Sequence, residues 1–226
     1  MHTVEEALIA AQQKAEALFD AVTGTGLIRA GLLESELSAQ IHALAQERFG
    51  VRRHWHKRVV RSGENTVLTY HDDPPDRCIG ADDVVYLDFG PLFGEWEADF
   101  GRTYVLGADS RKHQLVSDIG AAFRRGKQRY LDKPDLSAGS LYDFVCELAI
   151  EAGWEFGAPT AGHLIGHFPH EKNIAGRFSI GHGNPTKLRE RDSAGAPRHW
   201  ILEIHFVDRA KRFGGFFEEL LTIGPA

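Results

Sequence analysis

The chain is expected to form an α+β fold: a curved antiparallel sheet built from two pseudo-symmetric halves, with helices on the outer face. Three observations predict it. Two apolar strand pairs, near residues 84–104 and 201–221, carry an acid on each arm. Each pair follows a capped helix and an irregular stretch that contains histidines. That order occurs twice, over about 35–107 and about 138–224, although identity between the halves is slight.

The elements follow in order. Residues 3–22 form a helix whose face carries Val4, Leu8, Ala11, Ala15, Leu18 and Val22, and Gly24 and Gly26 end it. Ser35 caps a second helix, with Leu37, Ile41, Leu44 and Ala45 inward and Gly50 as its stop. Strands are expected at Trp55–Val60 and Thr66–Tyr70, followed by a Pro-rich turn over 71–76 and the first acidic hairpin. Ser110–Leu131 reads as a long helix. Ser140 opens another, with Asp143 three residues on as its capping-box partner and Gly153 as its stop. A Gly/His-rich stretch from Gly157 to Gly183, a polar loop over 184–198 and the second hairpin complete the chain.

The hairpins carry the chemistry. A turn centred on Phe93-Gly94 places Asp88 opposite Asp99, and one centred on Ala210-Lys211 places Glu203 opposite Glu218. Glu219 then points to the other face, because strand side chains alternate. Carboxylates ~5 Å apart on one face repel. Among Val84, Tyr86, Leu87, Phe89 and Phe100 they are also costly to bury unpaired. A duplicated unit brings both pairs into one pocket, where two divalent cations cancel the charge. A hydroxide bridging two such ions is a strong nucleophile at neutral pH. The nitrogen donor is sought in residues 162–171, which hold His163, His167 and His170.

Composition narrows the classes. The chain has 226 residues, 42% hydrophobic and 26% charged, enough for a packed core. A net charge of −6 argues against a nucleic-acid partner. Cys78 and Cys146 make no Cys-x-x-Cys motif, which fits a reducing cytosol and a cytoplasmic location. No segment approaches the ~20 apolar residues of a membrane span. The run Arg52–Arg58, with His54 and His56, reads as a solvated strand edge.

Together these residues resemble the catalytic domain of the pita-bread metallopeptidases: methionine aminopeptidase, aminopeptidase P and prolidase. The pattern is Asp88, then Asp99 eleven later ahead of Arg102-Thr103, then His163 with His170-Glu171 seven beyond, then Glu203 and Glu218. His71, seventeen before Asp88, matches a histidine of aminopeptidase P and prolidase. The resemblance implies that Asp88, Asp99, His163, Glu203 and Glu218 bind two divalent metal ions, with Asp99 and Glu218 bridging. Mn stands first, with Co, Fe or Zn as alternatives. His71 and His170 are implied to orient the substrate carbonyl and stabilise the oxyanion, and Glu203 to pass a proton to the leaving amine.

Three departures qualify the resemblance. Leu164 replaces a family glycine and is expected to narrow the pocket. Ile204-His205 follows Glu203 where Pro-Gly is common, so the strand should run straight. Only 34 residues precede Ser35, so residues 1–226 are expected to be one catalytic domain without a separate N-terminal domain of the prolidase type. The expected activity is amide C–N hydrolysis, aminopeptidase-like, on Xaa-Pro or related short peptides. A small non-peptide amide is the alternative substrate, and a catalytically silent binding protein a further one. A homodimer is left open, as are the roles of His167 and His205.

Overall fold

The computed structural model describes residues 3–169 and 178–223 of the 226. Helix α1 (Val4–Gly24) begins at Thr3, whose hydroxyl accepts the Glu6 N–H while the Glu6 carboxylate accepts the Thr3 N–H. Helix α2 (Glu34–Phe49) is capped at Leu33, two residues earlier than Ser35 suggested. The Leu33 N–H is satisfied by Glu36, and Ser35 instead bonds Asp76 through both its N–H and its hydroxyl. The expected strand at Trp55–Val60 is reduced to β1 (Val59–Ser62), and Thr66–Tyr70 is not a strand. A 3-10 turn (Gly63–Val67) and an open loop take its place.

Strands β2 (Val84–Phe89), β3 (Leu92–Phe93), β4 (Trp96–Glu97) and β5 (Phe100–Val105) build the first hairpin. Helices α3 (Ser110–Asp132) and α4 (Ala138–Glu151) follow. Ser137 caps α4 by accepting the Ser140 N–H, so the predicted box between Ser140 and Asp143 does not form; Asp143 bonds His182. Strands β6 (Glu155–Phe156), β7 (Thr160–Ile165), β8 (Ser179–Gly181), β9 (His199–Asp208) and β10 (Phe213–Leu220) complete the fold. β9 runs unbroken through Ile204-His205, as expected from the absence of Pro-Gly.

The main sheet has the order β1-β2-β5-β10-β9-β7-β8, with β6 paired to β9. Across the centre of this order, β5 answers β10, β2 answers β9, and β1 answers β7, which is the two-halved antiparallel sheet the sequence predicts. Period-2 alternation divides the strands between two faces. Val85, Leu87 and Phe89 pack with α1 and α2; Leu202, Ile204 and Phe206 pack with α3 and α4. Each such buried side chain contributes ~1.5–3 kcal/mol. The alternate residues Tyr86, Asp88, Glu203, His205, Phe216 and Glu218 line the opposite face.

Glu34 is a buried acid outside that face. Glu34, 5% exposed, accepts the Ser62 N–H (2.5 Å) and hydroxyl (2.9 Å) and the Asn65 amide (3.0 Å). It fastens α2 to the corner after β1. Glu34→Ala strands three buried donors, each worth ~1–3 kcal/mol. A loss of about 3 kcal/mol lowers the melting temperature by ~6–12 °C. Calorimetry checks this, and an unchanged midpoint refutes it.

Candidate metal centre

The two hairpins meet at β5 and β10. Reading across the sheet, Val59 pairs with Asp88, Asp88 with Gly101, Gly101 with Glu218, and Glu218 with Glu203. Three carboxylates therefore stand on one transverse row. The second hairpin has the predicted register, Glu218 opposite Glu203. Glu219 faces the other way, where it pairs with Arg102, itself stacked over Phe100 and Phe217 at 3.8 and 4.0 Å. Glu219→Gln is thus expected to leave metal content unchanged while lowering stability; loss of metal in that variant would contradict the register.

The first hairpin corrects the prediction. Its turn is Gly94-Glu95, not Phe93-Gly94, because the first turn position takes φ 69°, which Gly94 tolerates and Phe93 does not. Pairing moves by two residues, so Asp88 faces Gly101 rather than Asp99. A shift of two keeps the same face, and Asp99 still joins the cluster.

At the cluster, Asp99 is the hub. Its Oδ2 lies 3.2 Å from His163 Nε2 and its Oδ1 lies 3.0 Å from His56 Nε2. His163 Nε2 is also 3.5 Å from Glu203, and His56 Nε2 3.5 Å from Asp88. Ligand atoms of His56, Asp88 and Asp99 lie within 4.8 Å of one another, as do those of Asp99, His163 and Glu218. Glu218, 2% exposed, keeps a buried Oε2 with no hydrogen-bond partner. That orphaned oxygen amid four carboxylates and imidazole nitrogen is a donor set that fits divalent metal.

Electrostatics agree. Burial pushes Asp88 and Glu203 up to about 7, against the pull of the histidines. Glu218 is raised by burial and by the three neighbouring carboxylates. His56 rises to about 9, since Asp99 and Asp88 outweigh burial; His163 rises to about 10 through Asp99 and Glu203. Asp99 is held below the usual carboxylate range by both imidazoles.

A cavity of about 500 Å3 opens over the cluster. Leu68, Tyr70, Tyr86, Pro159 and Phe216 supply apolar walls. His71 is exposed on its lining and stacks edge-on to Tyr70 at 5.4 Å. His170 lies outside the described residues. His167 is at the surface, 3.3 Å from Glu95, away from the cluster. His205 is a buried wall residue, lowered to about 4 by burial, with Nε2–H donated to the Thr66 carbonyl at 2.9 Å. Leu164 packs against the second core rather than narrowing the cavity. His56 is the residue the sequence reading missed: far from a solvated edge, its side chain is 6% exposed and touches two of the acids. The signal available was its spacing, a histidine just ahead of the strand that borders β2.

Known proteins resemble this chain. A model of metallopeptidase family M24 matches residues 6–193. A Pyrococcus furiosus Xaa-Pro dipeptidase is 26% identical over 147 residues, covering 64% of this chain and 41% of that protein. The chain thus spans about two fifths of that relative's length. The crystal structure of an X-Pro aminopeptidase from Thermotoga maritima superposes with TM-score 0.76 at 24% identity, covering 97% of this chain and 61% of that one. A methionine aminopeptidase from Rickettsia prowazekii gives 0.72 at 18% identity, covering 99% of both chains. At these identities the two structures establish the shared fold. No helix among the described residues is long and apolar enough to cross a membrane.

Proposed function

The chain belongs to metallopeptidase family M24, and from that premise we propose that its cavity is the active site of a metal-dependent hydrolase of amide C–N bonds. Short peptides cleaved at the N-terminus, Xaa-Pro peptides included, are the first candidate substrates. The observation that carries this reading is the convergence of Asp88, Asp99, Glu203, Glu218 and His163 on one cavity floor, with a Glu218 oxygen left unpartnered.

Those five residues would hold two divalent ions, Mn first and Co, Fe or Zn as alternatives. Bound there, such ions would acidify a water and polarise the substrate carbonyl. The chain's own groups supply the rest. Glu203, on the cavity floor beside His163, would carry a proton to the leaving amine. His71, exposed at the lining, would donate to the carbonyl oxygen as charge develops on it. His170 carries the same proposed role. Leu68, Tyr86, Pro159 and Phe216 exclude water around the scissile bond.

A second reading is a small non-peptide amide or related C–N substrate. The wall beside the acids favours it: Leu68, Tyr86, Pro159 and Phe216 make it mainly apolar, which suits a small amide bearing a hydrophobic group. A panel of tripeptides, Xaa-Pro dipeptides and small amides, offered to metal-loaded protein, separates the two. Stepwise trimming of tripeptides supports the first; turnover confined to non-peptide amides supports the second. Tight metal binding with no turnover of any member overturns both.

A further inference from the structure

We propose that His56 is a sixth protein ligand, binding through Nε2 the divalent ion that Asp88 and Asp99 hold, so that each of the two metal positions carries one imidazole. This rests on the metal-site reading above and extends it to a residue outside the family's five.

Three observations carry the proposal. The first is place. His56 Nε2 lies 3.5 Å from Asp88 and 3.0 Å from Asp99, and the three residues form a compact candidate cluster of their own. The other cluster, of Asp99, His163 and Glu218, already includes an imidazole. Asp99 is common to both, with one oxygen toward each histidine.

The second is orientation. His56 Nδ1 lies 2.6 Å from the carbonyl of the next residue, Lys57. His163 Nδ1 lies 2.7 Å from the carbonyl of its own next residue, Leu164. A carbonyl can only accept, so each Nδ1 carries the hydrogen, and in the neutral ring the Nε2 lone pair faces the acids. Ligating histidines are commonly held this way, which fixes the tautomer and raises basicity. The two also occupy matching places: His163 lies on β7 and His56 just ahead of β1, the strands that border β9 and β2.

The third is room made for the ring. A Cβ on Gly90 would stand 2.2 Å from His56 Cδ2 and 2.4 Å from its Nε2. Trp55 sits beside the ring, centroids 4.4 Å apart, and donates Nε1–H to the Ala98 carbonyl. The imidazole is thereby seated in a fitted slot.

The chemistry differs from that of a single-histidine site. Imidazole nitrogen favours transition-metal ions, whereas all-oxygen ligation suits Mg and Ca. With His56 bound, both positions should discriminate against Mg(II).

The test uses equilibrium dialysis of the whole chain against Co(II) and Mg(II), with nitrogen hyperfine spectroscopy of the Mn(II)-loaded protein. Wild type should bind two Co(II). His56→Phe should weaken one binding step by about 100-fold, at the upper end of what perturbing a metal-bound histidine costs. Its Co(II)-over-Mg(II) preference at that step should fall, and one of two imidazole nitrogen couplings should vanish. His56→Gln, which keeps a polar group in the slot, should show the same losses. Unchanged affinity, preference and couplings in both variants would overturn the proposal and leave His56 as a hydrogen-bond partner of Asp99. Failure of the underlying site is distinguishable: wild type and Asp99→Asn would then show the same lack of bound Co(II).

Discussion

Asp99→Asn and Glu218→Gln are each expected to empty the site and abolish hydrolysis. Asp99 divides its two oxygens between His56 and His163 and belongs to both candidate clusters, so its loss weakens both positions at once. Glu218 is 2% exposed and keeps a buried oxygen without a hydrogen-bond partner. The amide variants retain shape and remove a charge, which separates ligand loss from unfolding. Metal assistance worth several kcal/mol, at ~1.4 kcal/mol per tenfold, corresponds to a fall in kcat of roughly 1000-fold or more. Metal analysis and steady-state rates check the pair. Substantial turnover by metal-free variants would rule the mechanism out.

Removing divalent metal is expected to destabilise the protein, and more so as pH rises. In the metal-free chain Asp88 and Glu203 have values raised to about 7, Glu218 is raised too, and His56 and His163 are raised to about 9 and 10. A folded-state value above the unfolded one means that the stability these groups contribute is complete at low pH. It is lost through about 7 for the two carboxyls and through about 9 to 10 for the imidazoles. Asp99 runs the other way, with its contribution present above the ordinary aspartate value and lost in acid. From pH ~5 to ~10 the metal-free fold therefore weakens. Metal binds deprotonated carboxylates and neutral imidazole, so its affinity grows across the same window. At a free concentration near 1000 times Kd it adds ~4 kcal/mol, or ~8–16 °C in Tm. Melting curves with and without Mn(II) should nearly coincide at low pH and separate widely above neutrality. A gap that narrows with rising pH would contradict this account.

The site was legible where local pattern set the geometry. Glu203 and Glu218 alternate with apolar neighbours on strands joined by a short loop, so their facing was readable. Asp88 and Asp99 were placed on the right face but in the wrong register, because the turn was centred one residue early. Only a residue free to take positive φ fits the first turn position, and Gly94 is that residue. Helix starts slipped for a related reason. Serines at 35 and 140 look like caps, but Leu33 and Ser137 begin the helices: a long-range bond to Asp76 takes Ser35, and the local Ser137 hydroxyl accepts the Ser140 N–H.

What the sequence determined by itself was the α+β order, the duplicated plan and the acids on one face, because alternation along a strand is a local property of the backbone. What only tertiary structure decided was the company those acids keep. His56 sits in a run of basic and aromatic residues that reads as solvent-facing. The pairing of His54 with Pro91, the Trp55–Ala98 bond and the space left by Gly90 turn it inward. Contacts between residues some forty positions apart leave no periodic trace in the chain, so the direction of that ring was set only when the sheet closed around it.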